Sequence, residues 1–150
     1  MAAVIYVDAS VLIHARENDD ALGQAAREAL ASASEPLGIS ALTRMECLVG
    51  PLRRHDPDLE ADYRATFESL VRVPIDDAVF ERAARLRADK SVGAQDAIHW
   101  AAALAAGCSA LLTADPDLAD RAAPFAVRVQ PPAATEETSG TERAVCSSPD

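Results

Sequence analysis

The chain has 150 residues, of which 49% are hydrophobic and 4% aromatic, and its formal net charge is −10. This length predicts one domain with a sizeable core, and the acidic balance argues against a non-specific nucleic-acid binder, which normally presents a basic surface. No apolar segment approaches the roughly 20 residues that a membrane span needs. The three cysteines, Cys47, Cys108 and Cys146, form no CxxC pair, so neither a zinc site nor a disulfide framework is predicted. We therefore expect an intracellular, cytoplasmic protein.

Predicted strands alternate with predicted helices, which is typical of an α/β protein with a mainly parallel sheet. The first strand is the continuous apolar run that ends at Val7, a composition expected of a strand buried on both faces. Further strands are predicted at 37–39, 73–75, 109–113 and 126–129. Pro74 places the third of these five strands near an edge of the sheet, because proline cannot donate a ladder hydrogen bond.

Helical periodicity and N-cap residues predict helices at 10–17, 20–31, 40–49, 56–71, 76–88 and 94–106. Gly50 and Pro51 are expected to interrupt the third helix, and Gly107 is expected to cap the last. Beyond residue 129 the composition changes to Pro, Thr, Ser and Glu. We therefore predict a single domain over 1–129 and a disordered polar tail over 130–150.

Two carboxylates follow predicted buried strands. Asp8 ends the first strand, and Asp115 follows the apolar run at 110–113. Ligands bind at the carboxyl ends of the strands in α/β sheets, so both side chains are candidate metal ligands. The alternative for each is a helix N-cap. For Asp115 this alternative is supported by residues 115–118, which repeat the Asp-Pro-Asp-Leu sequence of residues 56–59. That sequence by itself signals a helix start. Asp117 is the substitute ligand if Asp115 only caps a helix.

A third carboxylate, Glu46, falls on a predicted helix. It lies on an apolar stripe through Leu42, Met45 and Val49, where an unpaired charge is costly. The alternatives are an ion pair with an arginine such as Arg44, or a position at the margin of the stripe.

The fourth carboxylate, Asp96, lies in the first turn of the alanine-rich helix predicted at 94–106. The helix dipole alone would explain an aspartate there. However, Asp96 and His99 are the one polar region of an otherwise apolar helix, which favours a functional role. His14, His55 and His99 are too scattered to predict a zinc site, and we expect them to pack in the core or lie on the surface.

These carboxylates together offer an oxygen-only set of ligands, which suits Mg²⁺ or Mn²⁺. Ser10 closely follows Asp8, and Thr113 closely precedes Asp115. We expect these two hydroxyls either to position a metal-bound water or to cap helices. The alternative for the whole set is ordinary solvated surface charge. The four candidate ligands are Asp8, Glu46, Asp96 and Asp115.

Four stretches resemble, in order, the motifs of PIN-domain ribonucleases: residues 6–13 (YVDASVLI), 43–50 (TRMECLVG), 95–102 (QDAIHWAA) and 111–115 (LLTAD). The subgroup that the chain most resembles is the VapC-like toxins of bacterial type II toxin–antitoxin pairs. The resemblance covers roughly residues 4–129. It departs from the family pattern at Ala114, where family members often have Asn before the last Asp, but no ligand position is affected.

The resemblance implies a three-layer PIN-like fold, with a central, mainly parallel sheet of four to five strands flanked by helices. It also implies a Mg²⁺- or Mn²⁺-dependent endoribonuclease, the toxin of a toxin–antitoxin system, in which a metal-activated water hydrolyses RNA phosphodiester bonds. A homodimer is implied, with helices near the second motif at its interface. So is inhibition by an antitoxin, whose basic segment would place an arginine in the acidic site. The implied catalytic and metal-binding residues are Asp8, Glu46, Asp96 and Asp115.

The residues themselves leave two other functions open. One is a non-catalytic α/β binding module, in which the acids are caps and surface charge. The other is a metal-dependent DNA nuclease or phosphatase that uses the same carboxylates. Substrate binding would depend on the few basic residues, which otherwise form a solvated face balancing the acids; the candidates are Arg44, Arg53, Arg54, Arg82, Arg85, Arg87 and Lys90.

Overall fold

The structure is a computed structural model and describes residues 3–134. Strands and helices alternate along most of these residues, as the sequence predicts. The strands are β1 (Ile5–Val7), β2 (Leu37–Ile39), β3 (Val71–Arg72), β4 (Ala110–Thr113) and β5 (Ala126–Arg128). The helices are α1 (Ala9–Glu17), α2 (Ala21–Ala31), α3 (Ala41–Arg54), α4 (Pro57–Glu68), α5 (Asp77–Lys90), α6 (Ala94–Ala105) and α7 (Pro116–Arg121).

The five strands form one parallel sheet in the order β3-β2-β1-β4-β5. In the register of the central strand, Ile5 lies opposite Leu37 on one side and Ala110 on the other. All strands therefore end at the same edge of the sheet, and β1 and β4 end side by side at its centre.

Helices cover both faces of the sheet, and alternate residues of β1 face opposite layers. Tyr6 belongs to the core shared with α5, α6 and α7, together with Trp100 and Leu111. Val7 belongs to the core shared with α1 to α4, together with Tyr63. The result is a three-layer α/β fold, which confirms the predicted fold class.

Polar N-caps start most of the helices where the sequence predicts them. The side chains of Asp20, Ser40, Asp56, Asp76 and Asp115 each accept a hydrogen bond from a backbone N–H in the first turn. Proline follows the cap in α4 and α7, where its missing N–H is not needed.

Some predicted boundaries are wrong. The helix predicted at 56–71 ends at Glu68, and Val71 belongs to β3. The third strand lies at Val71–Arg72, before the predicted 73–75; the N–H of Val73 still bonds Ile39 O, but Pro74 has no N–H with which to continue the ladder. Helix α3 does not stop at Gly50 and Pro51 but continues to Arg54, with Pro51 buried inside it. It ends at His55, which adopts a left-handed conformation with φ of 54°.

The predicted apolar stripe on α3 is also wrong. The buried face of this helix contains Thr43, Cys47 and Pro51. Met45 and Val49 are instead 51% and 42% exposed. Glu46 is half-buried because it borders the Thr43–Cys47 face, and not because it shares a stripe with Met45.

Within residues 3–134, none of the helices combines the length and apolar character that a membrane crossing requires. Among residues 3–134, Cys47 and Cys108 are buried free cysteines. Cys146 and most of the predicted tail, residues 135–150, lie outside the described residues.

Candidate metal centre

Asp8 lies at the centre of the carboxyl edge of the sheet, between the end of β1 and the start of α1. It occupies the N-cap position of α1, but its side chain makes no capping hydrogen bond. Its Oδ2 instead accepts hydrogen bonds from Ser10 Oγ and Thr113 Oγ1, both at 2.8 Å. Capping therefore does not account for the Asp8 carboxylate, which is only 5% exposed.

Ser10 and Thr113 connect the ends of the two central strands. Besides donating to Asp8, Ser10 Oγ accepts from Ala114 N at 3.0 Å, and Thr113 Oγ1 accepts from Asp115 N at 3.1 Å. Each hydroxyl therefore joins the Asp8 carboxylate to the backbone that follows β4. The sequence singled out both residues, and the structure gives them a bracing role between the Asp8 and Asp115 segments.

Glu46 reaches the same edge from α3. Thr43 Oγ1 donates to Val7 O at 3.3 Å, which holds the first turn of α3 against the end of β1. One turn of helix later, Glu46 Oε2 lies 2.9 Å from His99 Nε2. Among residues 3–134, Glu46 forms no ion pair with Arg44, whose guanidinium carbon lies 5.4 Å from the centre of the Phe67 ring.

His99 brings the two carboxylates into one cluster. Its Nε2 is 2.9 Å from Glu46 Oε2 and 3.4 Å from Asp8 Oδ1. One ligand atom from each of Asp8, Glu46 and His99 lies within 4.8 Å of the others, close enough for all three to contact one ion. Sequence reasoning gave His99 no role at the site, although its position one turn after Asp96 on an apolar helix was a usable signal.

Asp96 joins this cluster electrostatically. It lies in the first turn of α6, where the helix dipole favours the ionised carboxylate. Nevertheless its pKa is raised from 3.8 to about 6, first by burial and then by the charges of Asp115, Asp8 and Glu46. Burial and the neighbouring carboxylates together outweigh the dipole, so Asp96 is half-buried beside other negative charges.

Asp115 has the capping role that the sequence offered as its alternative. Its Oδ1 accepts a hydrogen bond from Asp117 N at 2.9 Å at the start of α7, while its charge contributes to the raised pKa of Asp96. The carboxylate of Asp117 is 63% exposed and pairs with Arg121 at 3.0 Å. Asp117 thus contacts Asp115 through its backbone, and its own carboxylate is engaged elsewhere.

Tyr6 is a further polar residue at the site that sequence reasoning missed. Its hydroxyl lies 2.6 Å from both His99 Nδ1 and Ser40 Oγ, and 3.3 Å from Thr43 Oγ1. Burial raises the pKa of Tyr6 to about 12, so the side chain remains a neutral phenol. In the sequence Tyr6 has the pattern of an ordinary core residue of a strand. Its proximity to His99 becomes visible only in the fold.

A divalent cation fits the chemistry of this cluster. Within residues 3–134, no lysine or arginine forms a salt bridge with Asp8, Glu46, Asp96 or Asp115. Cys47 is adjacent in sequence to Glu46, but burial and then the charges of Glu46 and Asp8 raise its pKa to about 12, so it remains a thiol. The remaining donors are mainly carboxylate oxygens, which suit Mg²⁺ or Mn²⁺ better than Zn²⁺.

Solved structures with the same fold include several toxin–antitoxin proteins. A toxin–antitoxin complex from Klebsiella pneumoniae is 25% identical, with a TM-score of 0.71, and the match covers 85% of this chain and 98% of that one. The sarcin–ricin loop cleaving toxin VapC20 of Mycobacterium tuberculosis is 22% identical, with a TM-score of 0.68 and coverage of 85% and 99%. VapBC2 of Rickettsia felis, bound to a promoter DNA fragment, is 11% identical, with a TM-score of 0.69 and coverage of 85% and 99%.

No curated protein sequence matches the chain. The PIN domain model, however, matches residues 5–124, which include all four candidate carboxylates. The resemblance recognised from the four sequence motifs is therefore confirmed. The chain belongs to the PIN domain family.

Proposed function

We propose that this protein is a Mg²⁺- or Mn²⁺-dependent endoribonuclease and the toxin of a toxin–antitoxin pair. One observation carries the proposal: Asp8, which follows β1, and Glu46 of α3 meet at the carboxyl edge of the sheet, within reach of a single ion. The raised pKa of Asp96 supports it, because after burial its main causes are the charges of Asp115 and Asp8, which must therefore lie close to Asp96.

In this proposal the metal is held by Asp8, Glu46, Asp96 and Asp115. When bound, the ion lowers the pKa of water and offsets negative charge on the phosphate. Ser10 and Thr113 keep Oδ2 of Asp8 engaged, so that Oδ1 remains directed towards Glu46 and His99. The backbone of Asp117 holds Asp115 in the same way.

RNA is the proposed substrate, and the end of α5 is the proposed place of first contact. Lys90 is the last residue of α5 and precedes the short loop that enters α6, the helix carrying Asp96. Arg87 lies one turn earlier, and both side chains are exposed. Among the other basic candidates, Arg44 stacks on Phe67, and Arg54 pairs with Glu17 at 2.6 Å.

Two protein partners belong to the proposal. The first is an antitoxin with a basic segment, since several structures of the same fold are toxin–antitoxin complexes and the site is strongly acidic. The second is another copy of this chain, which would cover the exposed apolar residues of α3. These residues are Met45, Val49 and Leu52.

We also propose that the nuclease domain spans residues 1–129 and that 130–150 lies outside it.

The proposal is tested by Asp8→Asn, which removes the charge but leaves an oxygen that can accept from Ser10 and Thr113. Purified protein with Mn²⁺ should cleave RNA, and EDTA should abolish cleavage. Asp8→Asn should lower the rate at least about 100-fold while the protein remains folded by circular dichroism, because loss of even an outer-shell partner costs about 10- to 100-fold and Asp8 is proposed as a direct ligand. Asp19→Asn, which alters an exposed aspartate in the loop between α1 and α2, is the matched control and should retain the wild-type rate.

The same assay separates the alternatives. Single-stranded DNA and a small phosphate ester are offered beside RNA under identical conditions. Faster turnover of DNA or of the ester would replace the ribonuclease proposal by the DNA nuclease or phosphatase. If Mn²⁺ promotes cleavage of none of the three, the chain is a binding module and the catalytic proposal fails.

A further inference from the structure

His99 lies at the centre of a buried row of hydrogen-bonding groups behind the carboxylates. Its side chain is 1% exposed. One ring nitrogen, Nε2, faces Glu46 Oε2 at 2.9 Å, and the other, Nδ1, faces Tyr6 Oη at 2.6 Å. Ser40 Oγ lies 2.6 Å from Tyr6 Oη. The row therefore begins at Ser40, the residue before α3, and ends at the candidate metal ligand Glu46.

The hydrogen atoms of this row can be assigned from its partners. Nε2 must carry a hydrogen, because a bare nitrogen would oppose the lone pairs of Glu46 and Asp8. A neutral imidazole then has Nδ1 as an acceptor, and Tyr6 supplies the donor. Ser40 in turn donates to the Tyr6 oxygen, so each hydroxyl hydrogen and each ring nitrogen has one partner. Among residues 3–134 no buried side-chain polar atom lacks a partner, in agreement with this assignment.

The reverse assignment is less favourable. If Nδ1 donated to Tyr6, the phenol would donate to Ser40, and Nε2 would present a lone pair to two carboxylates. That arrangement suits His99 only as a direct metal ligand. The distance of 2.9 Å between Nε2 and Glu46 Oε2 is that of a direct hydrogen bond, which the first assignment forms and the reverse assignment does not.

We propose that His99 is a positioning residue that holds Glu46 for metal binding by donating Nε2–H to it, and that Tyr6 fixes the tautomer that makes this possible. The inference rests on the proposed metal-dependent function. In this inference His99 contacts the metal ligands but does not bind the metal itself, although its nitrogen lies as close to the Asp8 and Glu46 oxygens as a ligand would. Such partners orient ligating side chains and strengthen metal binding.

The test measures Mn²⁺ affinity by isothermal titration, together with the fold by circular dichroism. His99→Leu removes the donor and should weaken Mn²⁺ binding by about 10- to 100-fold, the range typical of lost outer-shell partners. His99→Gln, whose amide nitrogen can occupy the position of Nε2, should recover most of that loss. Tyr6→Phe should weaken binding by a smaller factor, since His99 then keeps its place but loses the donor at Nδ1. His55→Gln, at an exposed histidine, should leave the affinity unchanged.

A spectroscopic readout keeps the test decisive even if His99→Leu does not fold. Electron spin-echo measurements on wild-type protein with Mn²⁺ should show no coupling to a directly bound imidazole nitrogen. A strong coupling of this kind would make His99 a ligand and overturn the inference, as would wild-type affinity in His99→Leu. If the wild-type protein itself binds no Mn²⁺ and cuts no RNA, the proposed function fails, and the role of His99 fails with it.

Discussion

The two oxygens of Asp8 have different surroundings, and this difference sets what the residue can do. Oδ2 accepts from two hydroxyls, one on α1 and one on β4, whereas Oδ1 lies 3.4 Å from His99 Nε2. A carboxylate fixed through one oxygen by two donors has little rotational freedom left. Asp8 is therefore held in one orientation, which in the proposed function lowers the entropic cost of binding an ion.

Asp96 should make the metal-free protein less stable as the pH rises from about 4 to about 6. Its pKa is 3.8 when unperturbed and about 6 in the folded chain, so the folded state holds the proton more tightly. The penalty is absent below the lower value and complete above the higher one. Allowing for solvent screening of a half-buried group, we expect about 1 kcal/mol.

Chemical unfolding in EDTA at several pH values measures this effect. Asp96→Asn cannot ionise, so its stability relative to wild type should increase from pH 4 to pH 7. Saturating Mn²⁺ at pH 7 should reverse the order, because the ion stabilises the wild-type carboxylate and the variant lacks it. A stability difference that does not change with pH would contradict the raised pKa of Asp96.

At the scale of elements, α1 and α2 approach each other so closely that one position must be glycine. A Cβ built on Gly23 would lie 2.0 Å from Asn18 O and 2.9 Å from His14 O. Both atoms are backbone, so they cannot move aside as a flexible side chain would. Gly23→Ala should therefore destabilise the fold by about 3 kcal/mol, measured as a lower midpoint in urea.

Gly93→Ala is the control for this substitution. Gly93 precedes α6 with φ of −63°, and a Cβ there would meet nothing within 4 Å. Its stability should stay within about 1 kcal/mol of wild type, the size of ordinary N-cap and chain-entropy effects. Equal effects of the two substitutions would show that the contact between α1 and α2 does not limit residue size.

Local signals explain why the helix starts could be predicted from the sequence. An N-cap such as Ser40 or Asp56 acts within three residues of itself, so its meaning is visible in the sequence. The end of α3 could not be predicted in this way. Pro51 normally interrupts a helix, because it lacks the N–H that would bond the carbonyl four residues earlier, but here it lies near the end of α3 and is buried by tertiary packing.

The candidate site was predictable only in part, for a similar reason. Asp8 and Asp115 follow apolar strands, and a strand end is a local feature with a general meaning in parallel sheets. The partners of Glu46 were not visible, since the contact with His99 depends on how α3 and α6 meet across the sheet edge. Tyr6 gave no signal, because a buried phenol in a strand is ordinary until its partners are known.

At the scale of the whole molecule, the apolar residues exposed on α3 lead to a prediction about assembly. Met45, Val49 and Leu52 lie on the outer side of a helix whose opposite face is buried. In the proposed homodimer this face is covered by a second copy. Val49→Asp should place a charge in that contact and convert a dimer into a monomer, observed by size-exclusion chromatography with light scattering.

Ala61→Asp is the matched control for the assembly experiment. Ala61 is exposed on α4, so the substitution adds the same charge away from the α3 row. The control should elute with the wild-type protein. A wild-type protein that is monomeric at all concentrations tested, or a Val49→Asp variant that remains dimeric, would refute the proposed interface.

The pairing of β1 with β4 also determines when the site can form during synthesis. Asp8 emerges early, but the hydroxyl of Thr113 that holds it, and the strand that flanks β1, come from residues 110–113. Such distant pairings form only after the intervening chain is available. The nascent chain therefore carries Asp8 through most of translation without its partner Thr113, and the candidate site can form only once β4 has left the exit tunnel.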